Sequence, residues 1–178
     1  MIGALLKRHL IVYALAIVAF AADQISKAMV IGRLRLGESW PDDGFFRFTH
    51  VANRGSALGI IGDANTLLTI ASFVGVDILL LFYRSQKNPG KLIKLSLGLM
   101  FAGAFGNLTD RIANGHVTDF IDVGPWWIFN IADASIMTGL VVLIGSMLLF
   151  PEEPDPTKPV QNDNVATGAE HDDDNAAS

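Results

Sequence analysis

There is no cysteine among the 178 residues, which excludes a disulfide framework, a thiolate metal site and a cysteine nucleophile. The four histidines, His9, His50, His116 and His171, are scattered, and no HExxH or comparable ligand spacing occurs. No metal site is therefore expected. Lysine and arginine are missing altogether from residues 113–128. Polar interruptions are scarce in four long stretches, "HLIVYALAIVAFAADQISKAMVI" (9–31), "TLLTIASFVGVDILLLFY" (66–83), "LIKLSLGLMFAGAFGNLTDRI" (92–112) and "FNIADASIMTGLVVLIGSMLLF" (129–150). Each approaches the roughly 20 residues that a helix needs to cross a hydrocarbon core. The chain reads as an all-α polytopic membrane protein, with one four-helix domain over 1–150.

The formal charge of −5 is concentrated at the end. Residues 151–178 hold eight acidic residues and one lysine, and the rest of the chain is slightly basic. With little to bury, 151–178 is expected to be a disordered, cytoplasmic acidic tail; an acidic docking segment is the competing reading. The N-terminus also allows two readings. "KRH", an apolar run and "AFA" have the layout of a signal peptide cleaved after Ala21. The apolar pattern resumes with "AMVI", however, and Asp23 and Lys27 form an i, i+4 pair that favours a continuous helix.

Orientation follows from the flanking cations. Lys7 and Arg8 precede the first helix, and Arg84, Lys87, Lys91 and Lys94 surround the second connection. Arg33, Arg35, Arg47 and Arg54 in the long first connection weaken the asymmetry without reversing it. Both termini are expected in the cytoplasm. Connections 32–65 and 113–128 then lie outside. In the first, "RLRLGESW" and "FFRFTHVAN" alternate around "PDDG", the pattern of a small β-hairpin. Trp40, Phe45, Phe46 and Phe48 would rest on the outer leaflet, and Trp126, Trp127 and Phe129 form an aromatic belt.

This topology gathers polar residues at one membrane face. Asp23 and Lys27 end the first helix, Asn107, Asp110 and Arg111 end the third, and Asn130 and Asp133 begin the fourth. Small residues Gly98, Gly103 and Gly106 leave the third helix room for a close neighbour. Ionisable groups so near hydrocarbon normally face the bundle interior or a wet cavity and mark function. Bland readings compete: Asp23–Lys27 as a helix-end ion pair, Asn107, Asp110 and Arg111 as an interfacial cap, Asp122 as a turn former, and Asp77 as a helix-end charge outside the site.

A Ser/Lys hydrolase built on Ser26 or Ser56 with Lys27 is disfavoured, because Ser26 and Lys27 are adjacent on one helix and point different ways. There remain Asp119 and Asp133, which a folded connection can bring together. Two close carboxylates share a proton, so one can act as base toward water while the other donates a proton. That is aspartic peptidase chemistry. A proton-coupled carrier would also place aspartates in a membrane, but it should carry polar groups on both sides of the midplane. A non-catalytic scaffold would tolerate their exchange.

The motifs "DQISK" (23–27), "NRGSALG" (53–59), "GNLTDR" (106–111), "VTDF" (117–120) and "FNIAD" (129–133) occur in an order that resembles the lipoprotein signal peptidases (signal peptidase II) over about residues 7–150. The resemblance implies a membrane endopeptidase of the bacterial inner membrane that cleaves prolipoproteins just before a diacylglyceryl-modified cysteine, with its site at the outer face. It implies that Asp119 and Asp133 are the catalytic pair, and that Asp23, Lys27, Asn53, Gly55, Asn107, Arg111 and Asn130 shape the site or bind substrate. Prolipoproteins and membrane lipid are the expected partners. A monomer, no cofactor and no nucleic acid are expected. Leu58 departs from the aromatic that the family usually carries after the asparagine, which bears on substrate packing.

Overall fold

The computed structural model describes residues 2–55, 64–86 and 89–149. Ser56, Leu58, Gly59 and the tail 151–178 lie outside these residues. Eight elements follow one another: α1 (Ile2–Arg33), β1 (Ser39–Trp40), β2 (Arg47–Asn53), α2 (Ala64–Ser85), α3 (Lys91–Asn114), β3 (Val117–Asp122), β4 (Ile128–Phe129) and α4 (Ile131–Leu149). All four helices are long and apolar enough to cross a membrane, over His9–Arg33, Asn65–Ser85, Lys91–Asn114 and Ile131–Leu149. The chain is a polytopic membrane protein with a small sheet.

Each expected span is present. α1 begins earlier than expected and passes through Ala21 without a break, as the Asp23–Lys27 spacing favours. The fourth helix starts at Ile131 rather than 129, because Phe129 belongs to β4 and Asn130 is occupied in capping.

α3 is the central helix and packs against α1, α2 and α4. Its buried face, with Leu97 and Phe101 against Val12 of α1, forms the apolar core. Close approach to the site depends on two glycines of α3. A Cβ at Gly103 would collide with the Ala132 carbonyl oxygen of α4, and one at Gly106 would lie 2.7 Å from Asp23 Oδ2. Small residues here let three backbones converge, which packing between membrane helices requires.

The hairpin is present, with Ser39 opposite Thr49 and Trp40 opposite Phe48. It is half of a larger antiparallel sheet in the order β1-β2-β3-β4. The third connection, expected only as a folded loop, contributes β3 and β4. The pattern in Val117–Asp122 hides the strand, because Thr118, Asp119 and Asp122 are polar yet buried, so polarity there does not report exposure. β2 meets β3 with Asn53 opposite Val117 and Arg47 opposite Asp122, and the register shifts between Phe48 and Val51. The sheet thus ties the connection after α1 to the one before α4.

Candidate active site

The site forms where β3 meets the C-terminal ends of α1 and α3 and the N-terminal end of α4. It is best built outward from Asn130. Four N–H groups at a helix start have no partner within the helix. At α4, Asn130 Oδ1 accepts from the Asp133 N–H at 2.9 Å, and the Asn130 N–H reaches Asp133 Oδ2 at 3.3 Å. This reciprocal capping fixes both side chains, and Asp133 gains from the helix dipole. With Oδ1 committed, the Asn130 amide NH2 turns toward β3 and donates to Asp119 Oδ1 at 2.6 Å. Asn130 therefore bonds to both aspartates.

The other amides complete the pair. Asn53 of β2 donates from Nδ2 to Asp119 Oδ2 at 2.7 Å, while its Oδ1 accepts from the Gly55 N–H at 2.8 Å. Gly55 has φ +76°, a left-handed conformation open to glycine at little cost, and the resulting tight turn fixes which end of Asn53 faces the carboxylate. Asn107 of α3 donates from Nδ2 to Asp133 Oδ1 at 2.7 Å. Each aspartate thus receives donors that are neutral amides, and neither is paired directly with a cation among the described residues.

The cation lies one layer behind. Lys27 is buried, with Nζ 2.8 Å from Asp23 Oδ2, 2.9 Å from Asp110 Oδ2 and 3.2 Å from Asn107 Oδ1. Asp23 Oδ1 accepts from the Ala132 N–H at 2.8 Å, and Asp110 Oδ2 accepts from the Thr118 N–H at 3.1 Å. Ala132 and Thr118 are the residues directly before Asp133 and Asp119. One ammonium thus holds two carboxylates, each gripping the backbone next to one of the paired aspartates. Asp110 and Gln24 join this layer although the family resemblance assigns them no role, and the Gln24 amide donates to Asp23, Asp110 and the Gly106 carbonyl at 3.1–3.3 Å. An i, i+4 spacing exposes Asp23–Lys27, but contacts from Lys27 to α3 appear only once the helices are packed.

Arg111 stands further off. Its guanidinium donates to Ser72 Oγ of α2 at 3.3 Å and to the Asn107 carbonyl at 3.4 Å, and it makes no ion pair with either aspartate. Asp122 belongs to another arrangement, accepting from Arg47, Thr49 and the Gly124 N–H at 2.7–3.1 Å. Asp77 is exposed on α2, away from the site.

The environment of Asp119 raises its pKa from 3.8 to about 6. Burial is the main cause, since desolvation disfavours the charged form, and the nearby charge of Asp133 adds to it. The hydrogen bonds from Asn53 and Asn130, with the Lys27 charge behind them, oppose the rise. A carboxyl that exchanges its proton nearer neutrality, beside a second carboxyl, is equipped for acid–base work on water. No group of three or more metal-ligating side chains occurs among the described residues.

A family model described as signal peptidase (SPase) II matches residues 15–149. The lipoprotein signal peptidase of Halothermothrix orenii is 37% identical over 134 residues, covering 75% of this chain and 92% of that protein. That of Shewanella amazonensis is 39% identical over 143 residues, covering 74% and 83% respectively. A solved structure described as a bacterial membrane enzyme, determined by the in meso method at 1.9 Å resolution, is 28% identical with a TM-score of 0.71, covering 80% of this chain and 94% of that one.

Proposed function

The chain belongs to the signal peptidase II family, and from that premise we propose that it removes signal peptides from bacterial prolipoproteins as an aspartic endopeptidase of the inner membrane. The observation that carries the mechanism is the shared Asn130, which hydrogen-bonds to Asp119 and Asp133 together. In the reactive state the two carboxyls hold one proton. The ionised member takes a proton from water as the water oxygen attacks the scissile carbonyl carbon. The protonated member gives its proton to the carbonyl oxygen. When the gem-diol intermediate collapses, one of its hydroxyls returns a proton to the pair as the C=O re-forms, the C–N bond breaks, the leaving amine takes a proton from the pair, and one proton again remains shared.

Fixed amides suit this cycle. Asn53, Asn107 and Asn130 accept either charge state of the pair, whereas a directly bound cation would lock both carboxylates ionised. Asp23, Lys27 and Asp110 hold the backbones, and Arg111 sits where its charge can orient a substrate carbonyl. The flanking lysines and arginines favour cytoplasmic termini and a site at the outer face. There, a diacylglyceryl group would hold the substrate cysteine at fixed depth, with the scissile bond just before it.

The test uses one prolipoprotein, with and without prior diacylglyceryl transfer, at matched surface density in vesicles containing the purified protein. Release of the signal peptide should be much faster from the lipidated form. Equal rates would remove the lipid from recognition, and no cleavage of either would remove the peptidase assignment.

A further inference from the structure

On its other face, β3 borders a second cavity. Phe120 directly follows Asp119, so its side chain projects to the opposite side of the strand. It closes a groove of about 420 Å³ between the outer end of α1 and the hairpin, lined also by Met29, Val30, Leu34, Trp40 and Phe48. The volume lies in the range of ligand sites. Trp40 and Phe48, partners on adjacent strands, stack on each other along one wall, and Phe48 stacks in turn on Phe120. Yet Met29, Trp40 and Phe48 stay 48%, 65% and 45% exposed, so the protein leaves this apolar wall uncovered.

Arg33 also borders the groove. It is the last residue of α1 and of the membrane-spanning segment, and it is exposed. The ion pairs among the described residues are Lys27 with Asp23 and Asp110 and Arg47 with Asp122, so Arg33 has no carboxylate there. A planar cation at the end of a membrane helix, beside a tryptophan, stands at headgroup depth, and guanidinium matches phosphate in geometry and charge.

We propose that the groove is a binding site for one phospholipid of the surrounding bilayer, with an acyl chain along Val30, Leu34, Trp40, Phe48 and Phe120 and its phosphate on Arg33. A diacylglyceryl thioether carries no phosphate, so the unpaired cation distinguishes this lipid from the proposed substrate. The site stands independently of the peptidase reading. It would brace the sheet from behind the strand that carries Asp119.

Trp126→Phe with Trp127→Phe leaves Trp40 as the only one of three tryptophans. This full-length protein, in alkyl-maltoside micelles, is titrated with phosphatidylglycerol brominated in its chains and, separately, with diacylglycerol brominated in the same way. Quenching of Trp40 should saturate with the phospholipid and rise only in proportion to mole fraction with diacylglycerol. Arg33→Gln, a change at an exposed position, should weaken the saturable binding about three- to five-fold, in line with an interfacial ion pair of up to about 1 kcal/mol. Val30→Phe should abolish it while the helical circular dichroism stays unchanged. Equal quenching by the two lipids, insensitivity to Arg33→Gln, or displacement of the phospholipid by a diacylglyceryl peptide would overturn the proposal.

Discussion

Asp119 and Asp122 stand on the same strand and are both almost fully buried, yet their surroundings move their pKa values in opposite directions. Asp122 is held below the ordinary carboxylate range, chiefly by the Thr49 hydroxyl and then by the Arg47 guanidinium and the Gly124 N–H, against the opposing effect of burial. Asp119 has only amide donors in contact and a second carboxyl nearby, and burial carries it up to about 6. Burial alone therefore does not decide the charge of a carboxyl. The balance does: at Asp122 the hydrogen bonds and the Arg47 charge outweigh desolvation, whereas at Asp119 desolvation and the Asp133 charge outweigh the two amide donors.

The two should also act on folding with opposite pH dependence. Asp122, with its lowered pKa, contributes stability at pH values above its unfolded pKa, and this is lost as pH falls through the folded value. Asp119, with its raised pKa, favours folding fully below about 3.8, and that contribution is lost as pH rises through about 6.

The largest expected effect comes from removing the exchangeable proton. Asp119→Asn and Asp133→Asn should each reduce turnover by about a thousandfold or more, within or beyond the range of general acid–base catalysis, with membrane insertion and helical content intact. Near-normal cleavage by either variant would end the catalytic assignment. Lys27→Met should act on stability instead. It leaves Asp23 and Asp110 buried without their cation, for which about 3–5 kcal/mol is typical, read as a lower unfolding temperature in detergent. An unchanged unfolding temperature would show that Lys27 does not hold the two carboxylates.

Asp122→Asn sharpens the contrast from the other side. It should destabilise by about 1–3 kcal/mol through the Arg47 and Thr49 contacts, while the rate per folded molecule stays within a few-fold. Loss of turnover in a folded Asp122→Asn protein would erase the distinction between the two aspartates. Removing residues 151–178 should have the smallest effect, leaving cleavage nearly unchanged in a normally inserted protein, and a large loss would reveal a functional segment there.

The spans were legible in unbroken apolar length, and motif order singled out Asp119, Asp133 and the three asparagines, which the fold brings together. The sequence concealed β3 and β4, because strand alternation presumes that polar residues face water, and Thr118, Asp119 and Asp122 do not. Asp122 looked like a turn former; the Gly124 contact fits that, but its bonds to Arg47 and Thr49 cross to a strand from a distant connection. Asp110 stood among the gathered polar residues, but its grip on the Thr118 N–H, like the contacts of Gln24 and the reach of Lys27, stayed hidden, because spacing along one helix reports neighbours on that helix only.

The most direct test is titration of the Asp119 carboxyl carbon by 13C NMR in aspartate-labelled protein, with the resonance assigned through its loss in Asp119→Asn. The midpoint should lie near 6. It should fall when Asp133→Asn removes the neighbouring charge, and remain in place in Asp122→Asn. A midpoint at or below 3.8 that Asp133→Asn does not move would contradict the shared-proton pair.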